Sequence, residues 1–190
     1  MKTDKTDRRV RRTKSLLLHG LIQLMAEKDI KDISVKELSD LADINRGTFY
    51  LHYNDIYDML AQIEDELFIE FHEILDRTLN SDSAIFSPQS TLQEIFSFLE
   101  RHRDVARAMM SPHGDLAFVN RLKDLVKERM GNLLVTKQTT YDNSYMEAFT
   151  VSGCIGVIES WLKQQTPPPA EEMAVICGNM LAKGLGLYED

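Results

Sequence analysis

The sequence is poor in the residues that build disulfide scaffolds, metal clusters and membrane spans. Only two cysteines occur among 190 residues, Cys154 and Cys177. They are too far apart for the closely spaced ligands of a zinc site, so both are predicted to be core thiols. No run approaches the roughly 18 apolar residues of a membrane span, and Asp and Arg stand where a secretory signal would be apolar. The protein is therefore expected in the cytoplasm, without membrane contact.

The sequence also lacks the motifs that carry common enzyme chemistry. There is no Gly-x-Ser-x-Gly elbow and no glycine-rich phosphate loop. His72, His102 and His113 could be combined with Glu73 or Glu100, but no i, i+4 ligand set is repeated. We therefore predict no catalytic residue, no metal and no cofactor. A helical enzyme would need a constellation of reactive side chains that this sequence does not contain.

Charge is divided unevenly along the chain. Residues 1–53 hold 11 Lys and Arg against 8 Asp and Glu, whereas residues 54–190 hold 11 against 22. The net charge of −8 therefore hides a basic head and an acidic remainder. Contact with phosphates rewards local positive charge, so the head is the part suited to a polyanion.

The periodicity is helical almost throughout. Apolar residues recur at spacings of three and four, and no stretch alternates apolar and polar residues as a half-buried strand does. The predicted fold is all-α with about nine helices, a three-helix head over 1–54 and a helical body over 55–190. Polar loops are expected at 80–89 and 136–143, and the helices at about 7–27, 35–42, 46–53, 55–79, 91–102, 104–110, 116–135, 144–164 and 170–187.

Residues 34–53 carry the pattern of two short helices joined by a tight turn. Ser34 precedes Glu37 by three residues, which is a capping box at the start of the first helix. Asp43 occupies the turn, where aspartate tolerates a left-handed backbone better than most residues. Asn45 can cap the second helix, and Phe49 is expected to anchor it inward. Such a unit can lay its second helix in the major groove of DNA.

The segment Asn45-Arg46-Gly47-Thr48-Phe49-Tyr50-Leu51-His52-Tyr53 resembles the recognition helix of the TetR family (TetR/AcrR type). The resemblance covers residues 7–60 well and implies a DNA-binding transcription regulator. Residues 55–60 and 156–161 are also similar to a Gram-positive branch with a short C-terminal domain.

Roles for the head residues follow partly from physics and partly from this resemblance. Arg46 can make a bidentate contact with guanine, worth about 1 to 3 kcal/mol of discrimination, and Gly47 allows close approach of the backbone. The resemblance implies base contacts from Lys36 and Tyr50 and phosphate contacts from Ser34, Thr48 and His52. The predicted DNA-binding set is Arg8, Arg12, Ser34, Lys36, Arg46, Gly47, Thr48, Tyr50, Leu51 and His52.

The motif and its individual residues also have simpler interpretations that involve no contact with DNA. The motif could be a structural helix-turn-helix without DNA, each arginine of the 8–12 run could simply solvate a helix end, and Asn45 is a cap rather than a base reader. The family usually has a phosphate-binding lysine at the position of Ile56. Its absence puts that contact in doubt, and the basic run from Arg8 to Lys14 is expected to compensate.

The last two predicted helices carry small residues that would let a second helix approach closely. In the TetR family this is the place of dimerisation, so a homodimer through a four-helix interface is expected. Tight packing within one chain is the alternative. The predicted interface residues are Gly153, Gly156, Ala174, Gly178 and Ala182.

A small-molecule pocket is expected between the middle helices of the body, although many of its candidates would serve as core in any case. The acidic body favours a cationic or neutral amphiphilic effector over an anionic one. The candidates are the aromatic, Met and neighbouring residues Phe68, Phe71, His72, Phe96, Leu99, Met109, Met110, Tyr145, Phe149 and Trp161.

Together these features predict a dimer that binds a palindromic double-stranded DNA operator, usually as a repressor, and that an effector releases. The alternative is a protein-interaction adaptor or coactivator that needs a partner protein to reach DNA.

Overall fold

The computed structural model describes residues 2–79, 88–134 and 143–184. Within these ranges the chain forms nine α-helices and one short 3-10 turn, and no strand is present, which confirms the all-α prediction. None of the helices in this part of the chain combines the length and apolar content that crossing a membrane requires. The helices are α1 (Lys2–Met25), α2 (Val35–Leu41), α3 (Arg46–Phe49), α4 (Ile56–Leu79), α5 (Pro88–Arg101), α6 (Arg103–Met109), α7 (Leu116–Leu134), α8 (Asn143–Lys163) and α9 (Ala170–Gly184).

Most predicted helix ends lie within three residues of the observed ones. α5 begins at Pro88 rather than at residue 91, because proline is well suited to the first helical position. α1 begins at Lys2 instead of residue 7, and α3 ends at Phe49 instead of residue 53. The predicted loops at 80–89 and 136–143 fall largely outside the described residues, as does the predicted end of the last helix.

The chain divides into two compact units. The first comprises residues 1–66 with 108–115, and the second comprises 67–107 with 116–190. α4 contributes its first eleven residues, 56–66, to the first unit and its remainder to the second. The predicted boundary between head and body at residue 54 does not coincide with this division, and it stays a prediction.

The first unit has its own apolar core and a polar link between distant segments. Asp29, which follows α1, forms this polar link. Its carboxylate lies 2.7 Å from His113 Nδ1 and 3.1 Å from Lys31 Nζ. The hydrogen bond from His113, followed by that from Lys31, lowers the pKa of Asp29. The core beside it is built from side chains with almost no exposed surface, namely Leu17, Leu21, Met25, Leu38, Phe49 and Met59.

The second unit is built from helix pairs, with α9 against α5, α7 against α8 and α8 against α9. Trp161, at the end of α8, is completely buried and packs edge-on against Phe96, with ring centroids 5.4 Å apart. Its indole Nε1 donates to the Pro168 carbonyl at 2.8 Å, which ties α8 to the proline-rich link before α9. Arg103 stacks on the indole at 4.7 Å and donates to the Trp161 carbonyl oxygen at 3.0 Å. A cation here satisfies carbonyls that the helix end leaves open.

Candidate nucleic-acid interface and groove of the second unit

The start of α2 is fixed by a side-chain cap. The backbone N–H of Glu37 donates to the Ser34 hydroxyl oxygen at 3.2 Å, as the capping-box pattern predicts. Ser34 remains exposed. A hydroxyl that accepts one N–H keeps its own proton free to donate, so the cap leaves Ser34 able to bind a phosphate oxygen.

The turn between α2 and α3 is a Schellman motif. The Ile44 N–H donates to the Ser39 carbonyl at 2.9 Å, and the Asp43 N–H donates to the Asp40 carbonyl at 3.3 Å. This pair of bonds needs a left-handed residue just after the helix end. Asp43 has a φ of 52° and is the only non-glycine residue with positive φ among the described residues. The geometry fixes the direction in which the chain enters α3.

We expect different substitutions of Asp43 to have different effects on the stability of the first unit. Asp43→Val should destabilise the first unit by about 1–2 kcal/mol, because a β-branched side chain is strained in the left-handed region. Asp43→Gly should be close to neutral, since relief of strain is offset by the extra freedom of glycine in the unfolded chain. Chemical denaturation followed by circular dichroism would measure both, and equal stability of the two variants would contradict this view of the turn.

α3 is short and firmly capped. Asn45 precedes it with an extended backbone, and its side-chain oxygen accepts the Gly47 N–H at 2.8 Å, which confirms that Asn45 acts as a cap. A Cβ on Gly47 would lie 3.1 Å from that oxygen, so glycine leaves the cap undisturbed. Beyond Phe49 the chain continues as turns, with Leu51 and His52 N–H groups bonded three residues back. The tighter bonding explains why the regular helix stops before residue 53.

Two aromatic side chains hold this segment onto the first unit. Phe49 has no exposed surface, and its ring centroid lies 5.6 Å from that of Tyr53. Tyr53 is also buried. Burial raises the pKa of Tyr53 to about 12, with the nearby Glu66 and Asp58 charges contributing. The phenol therefore stays neutral well above physiological pH. The recognition segment, defined here as residues 45–53, is therefore anchored to the first unit through Phe49 and Tyr53.

The predicted DNA-binding residues all belong to the first unit, and none of them is buried. Leu51 is 79% exposed and Tyr50 is 58% exposed, unusually high values for large apolar and aromatic side chains. Both follow the buried Phe49 along the chain, so the segment is two-sided, with one buried side and one exposed side. Thr48 and His52 are half-buried, and the others are exposed, namely Arg8, Arg12, Ser34, Lys36, Arg46 and Gly47.

The beginning of α4 differs from the rest of this surface. Ile56 is apolar and only 4% exposed. The phosphate contact that the resemblance implies for a lysine at this position is therefore absent. The neighbouring carboxylates cap the helix instead: Asp55 accepts the Asp58 N–H at 2.8 Å, and Asp58 accepts the Asn54 N–H at 2.7 Å. The backbone hydrogen bond from Asn54 lowers the pKa of Asp58. Two negative charges here disfavour a phosphate.

The second unit contains an open groove of about 540 Å³. The Arg121 guanidinium lies 3.8 Å from the centroid of the Phe68 ring, which makes this wall both aromatic and cationic. Of the predicted pocket residues only Phe68 lines it. The α7 residues of the groove were not predicted from the sequence, because most of the predicted pocket residues were aromatic or Met side chains. The lining residues are Phe68, Ala117, Asn120, Arg121, Asp124, Leu125 and Glu128.

The predicted aromatic pocket is not assembled as expected. Phe71, Phe96, Leu99 and Trp161 are buried core side chains of the second unit. Met109 and Met110 belong to the first unit, where Met109 is only 4% exposed. Apart from Met110, which is half-buried, these residues fill space rather than line an opening.

Three other pocket candidates also have different surroundings. Tyr145 and Phe149 are 75% and 59% exposed on α8, so neither lines a cavity of the described chain. His72 is engaged by charged neighbours: its Nε2 lies 2.8 Å from Arg129 and its Nδ1 lies 3.1 Å from Asp76. Because guanidinium only donates, Nε2 accepts and Nδ1 carries the proton.

The small residues predicted for a dimer interface separate into two groups. Ala174 has no exposed surface, and a Cβ on the buried Gly178 would lie 3.7 Å from Gln89 of α5. Both therefore serve packing within the chain, which corrects the prediction for them. Ala182 is half-buried. Gly153 and Gly156 are exposed, and a Cβ on either would have no atom within 4 Å.

Comparisons with known proteins match parts of the sequence and most of the fold. A TetR-type family model described as "Transcriptional regulator C-terminal region" matches residues 87–183. The uncharacterised HTH-type transcriptional regulator YxbF of Bacillus subtilis (strain 168) is 26% identical over 94 residues, which are 48% of this chain and 25% of that protein. The matched part thus spans about a quarter of this relative.

Solved structures show the same fold over most of the chain. A TetR transcriptional regulator from Streptococcus agalactiae 2603V has a TM-score of 0.58 at 21% identity, with 94% of this chain and 98% of that one covered. The regulator FadR from Bacillus subtilis, solved in complex with stearoyl-CoA, has a TM-score of 0.62 at 14% identity, with 90% and 98% covered.

Proposed function

Because the chain belongs to the TetR family of transcriptional regulators, we propose that it binds a palindromic DNA operator as a homodimer and represses transcription until a small-molecule effector releases it. The observation that carries the proposal is the two-sided recognition segment. Phe49 is buried while Tyr50, Leu51 and Arg46 are exposed. Side chains so presented at a capped helix suit direct contact with base edges in a major groove.

The exposed face of α8 supports the homodimer. Tyr145, Phe149, Gly153 and Gly156 are all exposed, and their spacings of four, four and three place them on one side of the helix. Two large aromatic side chains followed by two glycines offer a surface into which a second copy of the helix can pack closely. A two-fold axis through this face would present two recognition segments to the two halves of a palindrome.

The groove of the second unit supports an effector. Phe68 and Leu125 offer apolar surface, while Arg121 and Asp124 offer charge, so an amphipathic molecule suits it best. The FadR relative from Bacillus subtilis, with its bound stearoyl-CoA, is a precedent for such a ligand in this fold. Phe68 belongs to α4, which begins soon after the recognition segment. We propose that the effector changes the placement of the recognition segment through α4, which requires different affinities for two arrangements.

A second candidate function is favoured by the start of α4. The buried Ile56 and the carboxylates of Asp55 and Asp58 remove a phosphate contact and add repulsion. A chain with weakened phosphate contacts could depend on a partner protein to reach DNA, as a coactivator or adaptor. The two candidates differ in whether the purified chain binds a specific sequence alone.

The deciding experiment is fluorescence anisotropy of labelled DNA from upstream of the protein's own coding region, with purified protein at several salt concentrations. We expect a Kd of about 10 nM or tighter that weakens steeply with salt. The double variant Arg46→Ala/Tyr50→Ala should lose this binding. Failure to bind both this DNA and a random-sequence selection library would favour the partner-dependent alternative. An operator found in this way then allows amphipathic compounds to be tested for release.

A further inference from the structure

The two cysteines of the chain meet at the contact between α8 and α9. The Sγ atoms of Cys154 and Cys177 lie 3.9 Å apart. Cys177 is only 2% exposed, whereas Cys154 is half-buried. A thiol pair separated by 23 residues along the chain is thus brought into direct contact, with one member near the surface and the other beneath it.

Little movement separates this contact from a covalent bond. A disulfide has an S–S length of about 2.05 Å, so the sulfurs need to approach by about 1.9 Å. Each cysteine has a glycine neighbour, Gly153 on α8 and Gly178 on α9. A Cβ on Gly153 would meet no atom of the described chain within 4 Å.

The hydrogen bond between the thiols also prepares them for reaction. The bond lowers the pKa of Cys177 although burial opposes this. The same bond, together with burial, raises the pKa of Cys154. Two sulfurs in direct contact are the arrangement in which one can be oxidised and the other can resolve it.

We propose that Cys154 and Cys177 form a redox-sensitive dithiol that a small peroxide closes to an intramolecular disulfide joining α8 to α9. One of the two sulfurs, as the thiolate, attacks hydrogen peroxide and becomes a sulfenic acid, and hydroxide leaves. The other sulfur then attacks the sulfenic sulfur, its proton departs with the hydroxyl group as water, and the S–S bond forms. Each sulfur gives up one electron, and the peroxide accepts both. The burial of Cys177 restricts the reaction to small oxidants that enter beside Cys154.

The test treats the reduced full-length protein with hydrogen peroxide, denatures it, alkylates the remaining thiols and measures intact mass without reductant. We expect both alkylation sites to be lost with a decrease of about 2 Da relative to the reduced chain. The product should run as a monomer on a non-reducing gel and recover both thiols with dithiothreitol. The midpoint of thermal unfolding should rise by roughly 5–10 °C, because the bond constrains the unfolded chain.

Cys154→Ala is the matched control, since its remaining thiol has no partner in the chain and the thermal shift should disappear. Met180 is 58% exposed on α9 and reports the peroxide dose through sulfoxide formation. The proposal is overturned if both thiols of the wild-type protein remain alkylatable at a dose that oxidises Met180. It is equally overturned if they are consumed as sulfinic acids or as disulfides between two chains. None of these outcomes depends on DNA binding.

Discussion

Arg46→Ala is expected to weaken binding to the specific operator by about 5- to 150-fold, the equivalent of 1–3 kcal/mol for one bidentate contact with guanine. Arg46 is the first residue of α3, is exposed, and follows the Asn45 cap. Side chains at the start of a recognition helix reach base edges, so the loss should fall on one base pair of each half-site. Anisotropy on the operator and on variants of each position would measure it.

The comparison with non-specific DNA decides the role of Arg46. A base contact predicts that affinity for random DNA changes little, whereas a phosphate contact predicts a uniform loss and a shallower salt dependence. Arg107→Ala, which removes an exposed arginine from α6 in the second unit, is the matched control and should bind as the wild type does. Equal losses on specific and random DNA would contradict the assignment of base reading to Arg46.

Trp161→Ala is expected to destabilise the second unit by about 3–5 kcal/mol, the usual cost of removing a large buried aromatic side chain. The indole is fully buried, packs against Phe96 and stacks with Arg103. Trp161→Phe keeps most of the packing but loses the hydrogen bond to the Pro168 carbonyl, so about 1–2 kcal/mol should be lost. Urea denaturation followed by far-UV circular dichroism would measure both variants.

Leu116→Ala provides the control for this prediction. Leu116 is large and apolar but 68% exposed in the second unit, so its truncation should change stability by no more than about 0.5 kcal/mol. A Trp161→Ala variant as stable as Leu116→Ala would indicate that the indole is not part of a close-packed core.

The local structure of the head could be predicted from the sequence, because the residues that determine it are close together along the chain. The Ser34 cap, the turn at Asp43 and the Asn45 cap each depend on residues within a few positions of one another, and all three are observed. The end of α3 was missed by four residues, because the switch to tighter three-residue hydrogen bonding after Phe49 leaves no mark on the apolar spacing. The roles assigned to the exposed residues of the segment remain predictions.

The structure of the body was harder to predict from the sequence, since it depends on contacts between helices that are far apart along the chain. Tyr145 and Trp161 look alike as aromatic residues of one helix, yet one is 75% exposed and the other is fully buried. The periodicity of α8 alone cannot distinguish them, because that helix is apolar on several sides. Small residues were ambiguous for the same reason: Gly178 accommodates α5, whereas Gly153 faces open space.

Trp161 is the only tryptophan of the chain. Tryptophan fluorescence therefore reports on the surroundings of this one side chain. Its emission responds to the packing of Phe96 and the charge of Arg103, all within the second unit. The recognition segment has no tryptophan and is silent at these wavelengths. Under the proposed function, a change in tryptophan emission when DNA binds would therefore report a change inside the second unit.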